Sequence, residues 1–155
     1  MGNPQVTVER RITASTERVW QGLTDLANMP AVLSGVDSVE VLSDGPFAVG
    51  TRWRETRRMF GKQATEEMRV TACTVAERYV VEAESHKTHY ISEFTLRAES
   101  PEVTVVRMTF SARPPGGFGG LLAKVFGALG AKAVAKAIAQ DLKDVAASVE
   151  GAPAS

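Results

Sequence analysis

The sequence contains little cysteine and no excess of charge of either sign. Among its 155 residues Cys73 is the single cysteine, so the chain cannot form an internal disulfide and lacks the thiols of a cysteine-rich zinc site. Lys plus Arg and Asp plus Glu each number 18, which gives a formal net charge of zero. A chain without net charge produces no overall field that attracts nucleic acid. We therefore expect no nucleic-acid partner.

Long hydrophobic runs are also missing. No stretch approaches the roughly 20 apolar residues that span a bilayer, so we expect no stable membrane insertion. The N-terminus has no apolar segment of the signal-peptide kind, and Val6 stands where the myristoylation pattern requires Ser or Thr. These features, together with a lone thiol that suits a reducing compartment, predict a cytoplasmic protein.

Motifs for metal or cofactor binding are absent as well. His86 and His89 lie three residues apart, which on a strand directs their rings to opposite faces, and no further ligand stands at a suitable spacing. The segment Gly116-Gly117-Phe118-Gly119-Gly120 matches neither the P-loop nor the dinucleotide fingerprint. We expect no metal and no cofactor, and the sequence assigns no catalytic residue.

The apolar residues that are present suffice for one domain, because they make up 44% of the chain. We expect a single domain over residues 1–155, with disordered ends at 1–4 and 151–155. Alternating apolar residues predict a strand over 6–13. Ser15 is a suitable N-cap for a helix over 16–25, and Met29-Pro30 interrupts that helix before one more short turn at 31–33.

Strand patterns separated by turn signals fill the middle of the chain. They predict six strands near 36–43, 50–59, 63–74, 79–85, 89–98 and 102–112. From Leu122 to Val149 the apolar period becomes helical, which predicts one helix of about 30 residues. The expected fold is α+β: a curved antiparallel sheet of seven strands around a long C-terminal helix, with two short helices after the first strand. A sheet that curls around a helix leaves a cavity wherever the facing side chains do not fill the space.

This order of elements resembles the helix-grip fold of the START-like (SRPBCC) superfamily, and most closely the bacterial polyketide cyclase/dehydrase-type proteins. Four stretches carry the resemblance: Ile12-Thr13-Ala14-Ser15 into Val19-Trp20, Leu23-Thr24-Asp25, Val36-Asp37-Ser38-Val39-Glu40-Val41-Leu42, and Val49-Gly50-Thr51-Arg52-Trp53. It covers nearly the whole chain, from about residue 5 to 149. The resemblance implies a cavity for a small hydrophobic molecule, but the superfamily includes carriers, receptors, enzymes and chaperone partners.

Alternation along each strand indicates which side chains face the helix. The strand residues predicted to line a ligand site are Trp53, Glu55, Arg57, Met59, Glu66, Met68, Tyr79, Tyr90, Ser92, Phe94, Met108 and Phe110. The bulky first half of the long helix is expected to add Leu122, Val125 and Phe126, while its Ala-rich second half approaches the sheet closely. Aromatic and methionine side chains with a few polar groups are typical of a small-molecule site, although the same residues also serve as ordinary core.

Three charged residues on this face have two interpretations. If Arg57 lies between Glu55 and Glu66, one carboxylate is available to bind a ligand or to act as a base. Alternatively, the three form a salt bridge at the open rim of the sheet.

On the outer face of the sheet, Arg52, Arg54 and Arg58 form a basic row, which is a solvated face or a docking surface.

The sequence thus favours binding of a lipid-like or polyketide-like molecule between sheet and helix. One alternative is a cyclase/dehydratase-like enzyme in which Glu55, Glu66 or Tyr90 moves a proton. The other is a protein-interaction module of the chaperone-activator type. A further hypothesis is that residues 114–130 form an adjustable lid over the cavity.

Overall fold

The computed structural model describes residues 5–59, 61–85, 88–113 and 128–150. The elements, in chain order, are β1 (Gln5–Ile12), α1 (Thr16–Thr24), a 3₁₀ turn (Leu26–Asn28), α2 (Met29–Val32), β2 (Val36–Val41), β3 (Arg52–Met59), β4 (Lys62–Thr74), β5 (Arg78–Ser85), β6 (Thr88–Ser100), β7 (Val103–Arg113) and α3 (Ala128–Glu150). The predicted α+β class is confirmed, with its short helices after the first strand and its long C-terminal helix. The predicted disordered ends, and the predicted helix before residue 128, lie outside the described residues.

The seven strands form one antiparallel sheet in the order β1-β7-β6-β5-β4-β3-β2. Strands β2 to β7 form the predicted meander, and β1 pairs with β7 at the far edge. The β3–β4 turn contains Gly61 at φ +76°, a conformation that glycine adopts without steric cost. Strands that follow each other in the chain from β2 to β7 are therefore adjacent in the sheet. Its concave face carries side chains from residues 52 to 113.

The short helices follow local sequence signals. The Ser15 side chain accepts a hydrogen bond from the backbone N–H of Arg18 and caps α1. Helix α1 buries Trp20 and Leu23 against the core. Pro30 occupies the first turn of α2, where backbone N–H groups have no partner within the helix, so the missing N–H of proline costs nothing. The helix therefore begins at Met29, before the predicted turn at 31–33.

Helix α3 covers the concave face of the sheet. Its buried residues recur at helical spacing: Val134, Ile138, Leu142, Val145 and Val149. Near its C-terminal end it meets α1 at Gly22, where an added Cβ would lie 2.8 Å from Cγ1 of Val149. The absence of a side chain at Gly22 therefore sets how closely the two helices approach.

The register between β3 and β4 decides which charged residues face inward. Every residue from Arg52 to Met59 has a partner on β4 without a shift, and the nearest bulge on β4 lies beyond it, between Val70 and Ala72. Along this pair of strands, successive side chains therefore point regularly to opposite faces of the sheet. Trp53 and Glu55 are buried, with 3% and 6% of their surface exposed.

Candidate ligand-binding cavity

A cavity of about 260 Å³ lies between the concave face of the sheet and α3. The side chains that line it from the sheet include Trp53, Glu55, Arg57, Glu66, Met68, Tyr79, Tyr90, Ser92, Phe94, Met108 and Phe110. All of these lie on the face that alternation predicts, and their role in binding a ligand stays a prediction. The side chain of Met59 and the residues Leu122, Val125 and Phe126 lie outside the described part of the chain.

Helix α3 supplies the helical wall of the cavity. Val134, Ala137, Ile138, Asp141, Leu142 and Val145 line the cavity from above. The prediction gave this wall to the first half of the helix and expected the Ala-rich half to pack tightly on the sheet. In the structure, described residues of the Ala-rich half line the cavity, whereas the bulky half before residue 128 lies outside the described residues.

Aromatic rings pack together at one end of the cavity. Trp20 and Phe47 both meet Tyr79 edge to face, with ring centroids 5.3 and 5.1 Å from that of Tyr79. Tyr79 in turn stacks on Phe94 at 4.5 Å. Such arrangements follow the quadrupoles of the rings and fix their positions. The Tyr79 ring is therefore held firmly by its neighbours.

A second stacked pair lies on β6 and β7, nearer the β1 edge of the sheet. The rings of Tyr90 and Phe110 are 5.5 Å apart and 10° from parallel. Burial, together with the nearby Glu66 carboxylate, raises the pKa of the Tyr90 hydroxyl above its ordinary value. Tyr90 is thus a protonated hydrogen-bonding group on the cavity wall at neutral pH.

The polar part of the cavity is built around Arg57. Its Nε donates to Oε2 of Glu55 at 3.1 Å, and its Nη1 donates to Oδ1 of Asp141 at 3.1 Å. The other carboxylate oxygen of Glu55 accepts a hydrogen bond from Nε1 of Trp53 at 3.1 Å. Arg57 therefore lies between Glu55 and Asp141, whereas the first interpretation of the sequence set it between Glu55 and Glu66.

These charges lie inside the molecule. The side chains of Glu55 and Arg57 are 7% and 20% exposed, so the ion pair is not the rim salt bridge of the alternative interpretation. Burial raises the pKa of Asp141 despite the opposing effect of Arg57. Burial also disfavours the charge of Arg57, but Asp141 and Glu55 outweigh it and raise the pKa of the guanidinium. Arg57 is consequently the fixed cation of this network.

Glu66 lies directly across from Glu55 in the β3–β4 register. The side chains of such a pair leave the sheet on the same face with Cβ atoms about 5 Å apart. Two carboxylates thus face one part of the cavity from neighbouring strands.

The Tyr79 hydroxyl forms no hydrogen bond with any residue that the structure describes, although Tyr79 is only 3% exposed and lines the cavity. Burial, and next the charges of Glu55 and Asp141, raise the pKa of this hydroxyl well above its ordinary value. The hydroxyl is therefore protonated at neutral pH.

Sequence reasoning missed several wall residues. Phe47 comes from the β2–β3 connection and Met29 and Leu33 come from α2 and its end, so none of them belongs to an alternating strand. Asp141 lies on α3 among polar residues, and its position one turn from Ile138 and next to Leu142 was the available signal. An aspartate on the apolar side of a helix indicates a buried partner.

The outer face of the sheet carries paired charges. Arg52 pairs with Glu67, Arg54 with Glu40 and Arg58 with Asp37, at 3.1, 2.7 and 3.5 Å. The predicted basic row is therefore neutralised by acidic neighbours. Exposed pairs of this kind contribute little to stability.

Within the described residues, no three His, Cys, Asp or Glu side chains form a group that would hold a metal ion. His89 pairs with Glu82 on the outer face, and His86 lies outside the described residues. None of the helices described is long and apolar enough to cross a membrane.

Solved structures share this fold. A protein of Thermus thermophilus is 26% identical in sequence, with a TM-score of 0.71 over 94% of this chain and 99% of the other. The Zhui aromatase/cyclase of a Streptomyces species is 19% identical, with a TM-score of 0.73 over 94% of this chain and 93% of its own. A START superfamily protein of Mycobacterium smegmatis is 13% identical, with a TM-score of 0.76 over 97% and 99%. The last two likenesses establish the fold alone.

No curated protein matches the sequence. A family model described as "Polyketide cyclase / dehydrase and lipid transport" matches residues 3–150. The match extends from the first strand to the end of α3 and thus includes every described residue of the cavity wall. The chain belongs to this polyketide cyclase/dehydrase and lipid transport family, within the START-like superfamily that its sequence resembles.

Proposed function

We propose that the protein binds a small, largely apolar molecule of the lipid or polyketide kind in the cavity beneath α3. The volume of the cavity and its largely apolar walls support this proposal. Protein interiors contain few voids larger than a water molecule, whereas about 260 Å³ remains here between apolar walls. Small-molecule sites usually measure about 300–1,000 Å³, so this volume favours a ligand near the lower end of that range.

Fluorescence of N-phenyl-1-naphthylamine, an apolar dye that is uncharged at pH 7, tests the proposal. The dye should brighten on binding to the protein. Ala137→Phe places a ring in the cavity wall and should weaken dye binding at least about tenfold, because the added side chain occupies ligand volume. Ala139→Phe adds the same ring on the exposed side of α3 and should leave dye binding unchanged. Equal affinities for both variants, or no binding by the wild type, would contradict the proposal.

An enzyme of the cyclase/dehydratase kind is the second candidate. The Tyr79 hydroxyl lines the same cavity as Glu55 and Asp141 and favours this candidate, because a hydroxyl and a carboxylate in an apolar enclosure are suited to proton transfer. In that case Tyr79→Phe and Glu55→Gln should abolish turnover of a poly-β-ketone chain while dye binding persists. Turnover that survives both substitutions would contradict these roles for Tyr79 and Glu55, and no turnover by the wild type would contradict the enzyme.

The protein-interaction alternative has less support, since the arginines of the outer face are paired with acidic side chains. We also propose that residues 1–155 form one domain, that the protein is cytoplasmic and that it has no nucleic-acid partner. The lone thiol of Cys73 and the equal numbers of acidic and basic residues support these last two inferences. Fractionation of cells that express the tagged protein tests its location.

A further inference from the structure

The Tyr79 hydroxyl is held in place without a hydrogen bond. Tyr79 is 3% exposed and lines the cavity, and its hydroxyl has no hydrogen-bond partner among the described residues. Trp20 and Phe47 contact the Tyr79 ring edge to face, and Phe94 stacks on it. Such contacts fix the position of the ring. Because the phenolic oxygen lies on the axis of the ring, it moves only when the ring moves.

The Tyr79 oxygen faces open space rather than packed protein. Among the described residues, the side-chain atoms that are sealed inside the protein and lack a partner are Nε of Arg10 and Oγ1 of Thr88. The Tyr79 oxygen also lacks a partner but is not sealed in this way. Since Tyr79 is almost completely buried, the space that its oxygen contacts is the cavity. Buried polar groups without a partner are rare, so this hydroxyl indicates a ligand atom that supplies one.

The surroundings of the hydroxyl decide which ligand group fits there. Burial, and next the charges of Glu55 and Asp141, raise the pKa of the Tyr79 hydroxyl, so it keeps its proton at neutral pH and can donate a hydrogen bond. A ligand O–H or N–H at this place would need an acceptor of its own, and the aromatic rings packed on Tyr79 carry none. A carbonyl oxygen needs only the donor that Tyr79 supplies.

We propose that the Tyr79 hydroxyl donates a hydrogen bond to a carbonyl oxygen of the ligand, and that Tyr79 thereby determines which end of the ligand lies among the rings around it. This inference rests on the proposed function and names a residue that selects the ligand. A ligand carbonyl without this donor would be buried and unpaired, which costs more free energy than a hydrogen bond gains. The apolar remainder of the ligand lies against other wall residues, such as Met68 and Met108.

Two probes that differ in one group test the inference: butyrophenone, and n-butylbenzene, in which a methylene replaces the carbonyl. Displacement of N-phenyl-1-naphthylamine from the protein at pH 7 gives the affinity of each probe. Tyr79→Phe should weaken butyrophenone binding about tenfold, because the buried carbonyl loses its donor. The affinity for n-butylbenzene should change by less than about threefold, since this probe cannot accept a hydrogen bond. If the ratio of the two affinities is the same in the wild type and in Tyr79→Phe, the inference is wrong.

Thr65→Val is the matched control. It removes a hydroxyl from the outer face of the same sheet, where Thr65 is exposed and its hydroxyl bonds to that of Thr56. This variant should keep the wild-type ratio of the two affinities. Ser92 carries another hydroxyl on the cavity wall. If Ser92→Ala rather than Tyr79→Phe lowers the affinity for butyrophenone, the ligand oxygen does not bond to Tyr79.

Infrared spectroscopy of the wild type provides a second measurement, which does not depend on the folding of Tyr79→Phe. An isotope-edited difference spectrum of bound butyrophenone, with the label at the carbonyl carbon, isolates the C=O stretch of the probe. The stretch should lie at a lower wavenumber than in hexane, because a hydrogen bond weakens the C=O bond. A stretch at the hexane position would show a carbonyl without a donor and would overturn the inference.

The two probes also separate this inference from the proposed function. If the dye and n-butylbenzene bind but Tyr79→Phe does not weaken butyrophenone binding, the role of Tyr79 is contradicted and the apolar carrier is left intact. Absence of dye binding in the wild type contradicts the carrier itself and the inference with it.

Discussion

Asp141 on α3 and Arg57 on β3 form an ion pair with 2.9 Å between Oδ2 and Nη1, although 84 residues separate them in the chain. The loop before β2 closes over this pair, since a Cβ at Gly35 would lie 3.3 Å from Nη1 of Arg57. Glu55 holds the same guanidinium from the sheet side. One contact thus joins the long helix, strand β3 and the α2–β2 loop at the polar end of the cavity.

Arg57→Met should destabilise the protein by about 3 kcal/mol at pH 7. The substitution leaves Glu55 and Asp141 without their cation in a largely buried place, and removing one partner of a buried pair costs about 3–5 kcal/mol. Urea denaturation measures the difference. Arg54→Met is the control, because Arg54 pairs with Glu40 in solvent and should cost less than about 1 kcal/mol. Equal losses of stability in Arg57→Met and Arg54→Met would mean that the buried ion pairs of Arg57 contribute no more than an exposed pair.

The loss in Arg57→Met should shrink as the pH falls. Burial raises the pKa of Asp141 even in the wild type, and loss of the cation should raise this pKa further. A carboxyl whose pKa is raised on folding favours the folded state below its unfolded pKa of about 3.9, and this advantage is lost as the pH rises through the folded pKa. Urea denaturation at pH 7 and at pH 4 should therefore give a smaller deficit at pH 4. A deficit that grows in acid would contradict this account.

Asp144 should show the opposite pH dependence. Its Oδ2 accepts hydrogen bonds from the backbone N–H and the hydroxyl of Ser34, both at 2.9 Å. Burial acts to raise the pKa of Asp144, but these hydrogen bonds and the one from Gln140 lower it overall. A lowered pKa contributes stability above about pH 3.9 that is lost as the pH falls through the folded value.

Asp144→Asn should therefore cost about 1 kcal/mol at pH 7 and less at pH 3, as measured by urea denaturation at both values. Ser34→Ala removes the hydroxyl but not the backbone donor, so it should lose a smaller part of the same stability. An Asp144→Asn deficit that does not change with pH would show that the carboxylate charge is not what holds the loop.

Gly22→Ala should destabilise the protein by about 1–2 kcal/mol, although alanine is the better helix former. The new Cβ would lie 2.8 Å from Cγ1 of Val149, a β-branched side chain with little rotamer freedom in a helix. Thermal unfolding measures the loss. Val149→Ala in the same chain should remove the clash, so the double variant should be more stable than the sum of the single effects implies. A more stable Gly22→Ala variant would mean that helix propensity outweighs the contact.

Tyr79→Phe should change the free energy of unfolding by less than about 1 kcal/mol, because the lost hydroxyl has no hydrogen-bond partner among the described residues. Trp53→Phe should cost about 2 kcal/mol or more, since it removes the Nε1 donor to Glu55 as well as volume from the core. Urea denaturation compares the two variants. A loss of 2 kcal/mol in Tyr79→Phe would show that the Tyr79 hydroxyl stabilises the folded protein in the absence of a ligand.

Local patterns in the sequence determined the elements and the inward faces of the strands. Side chains alternate with a period of two residues, so Trp53, Glu55 and Arg57 share one face whatever covers it. The register of β3 and β4 contains no shift at these residues, and the observed bulge between Val70 and Ala72 lies beyond Glu66. Prediction therefore succeeded where each side chain's direction depends only on its own strand.

Only the tertiary structure decided which residues meet across the cavity. The Arg57–Asp141 pair depends on the rotation of α3 about its axis, and the position of Phe47 depends on the path of a connection without periodicity. The described part of the Ala-rich segment also lines the cavity, which the sequence pattern did not indicate. A sequence pattern fixes which side of an element is apolar, whereas the distance and angle between elements come from packing of the whole core.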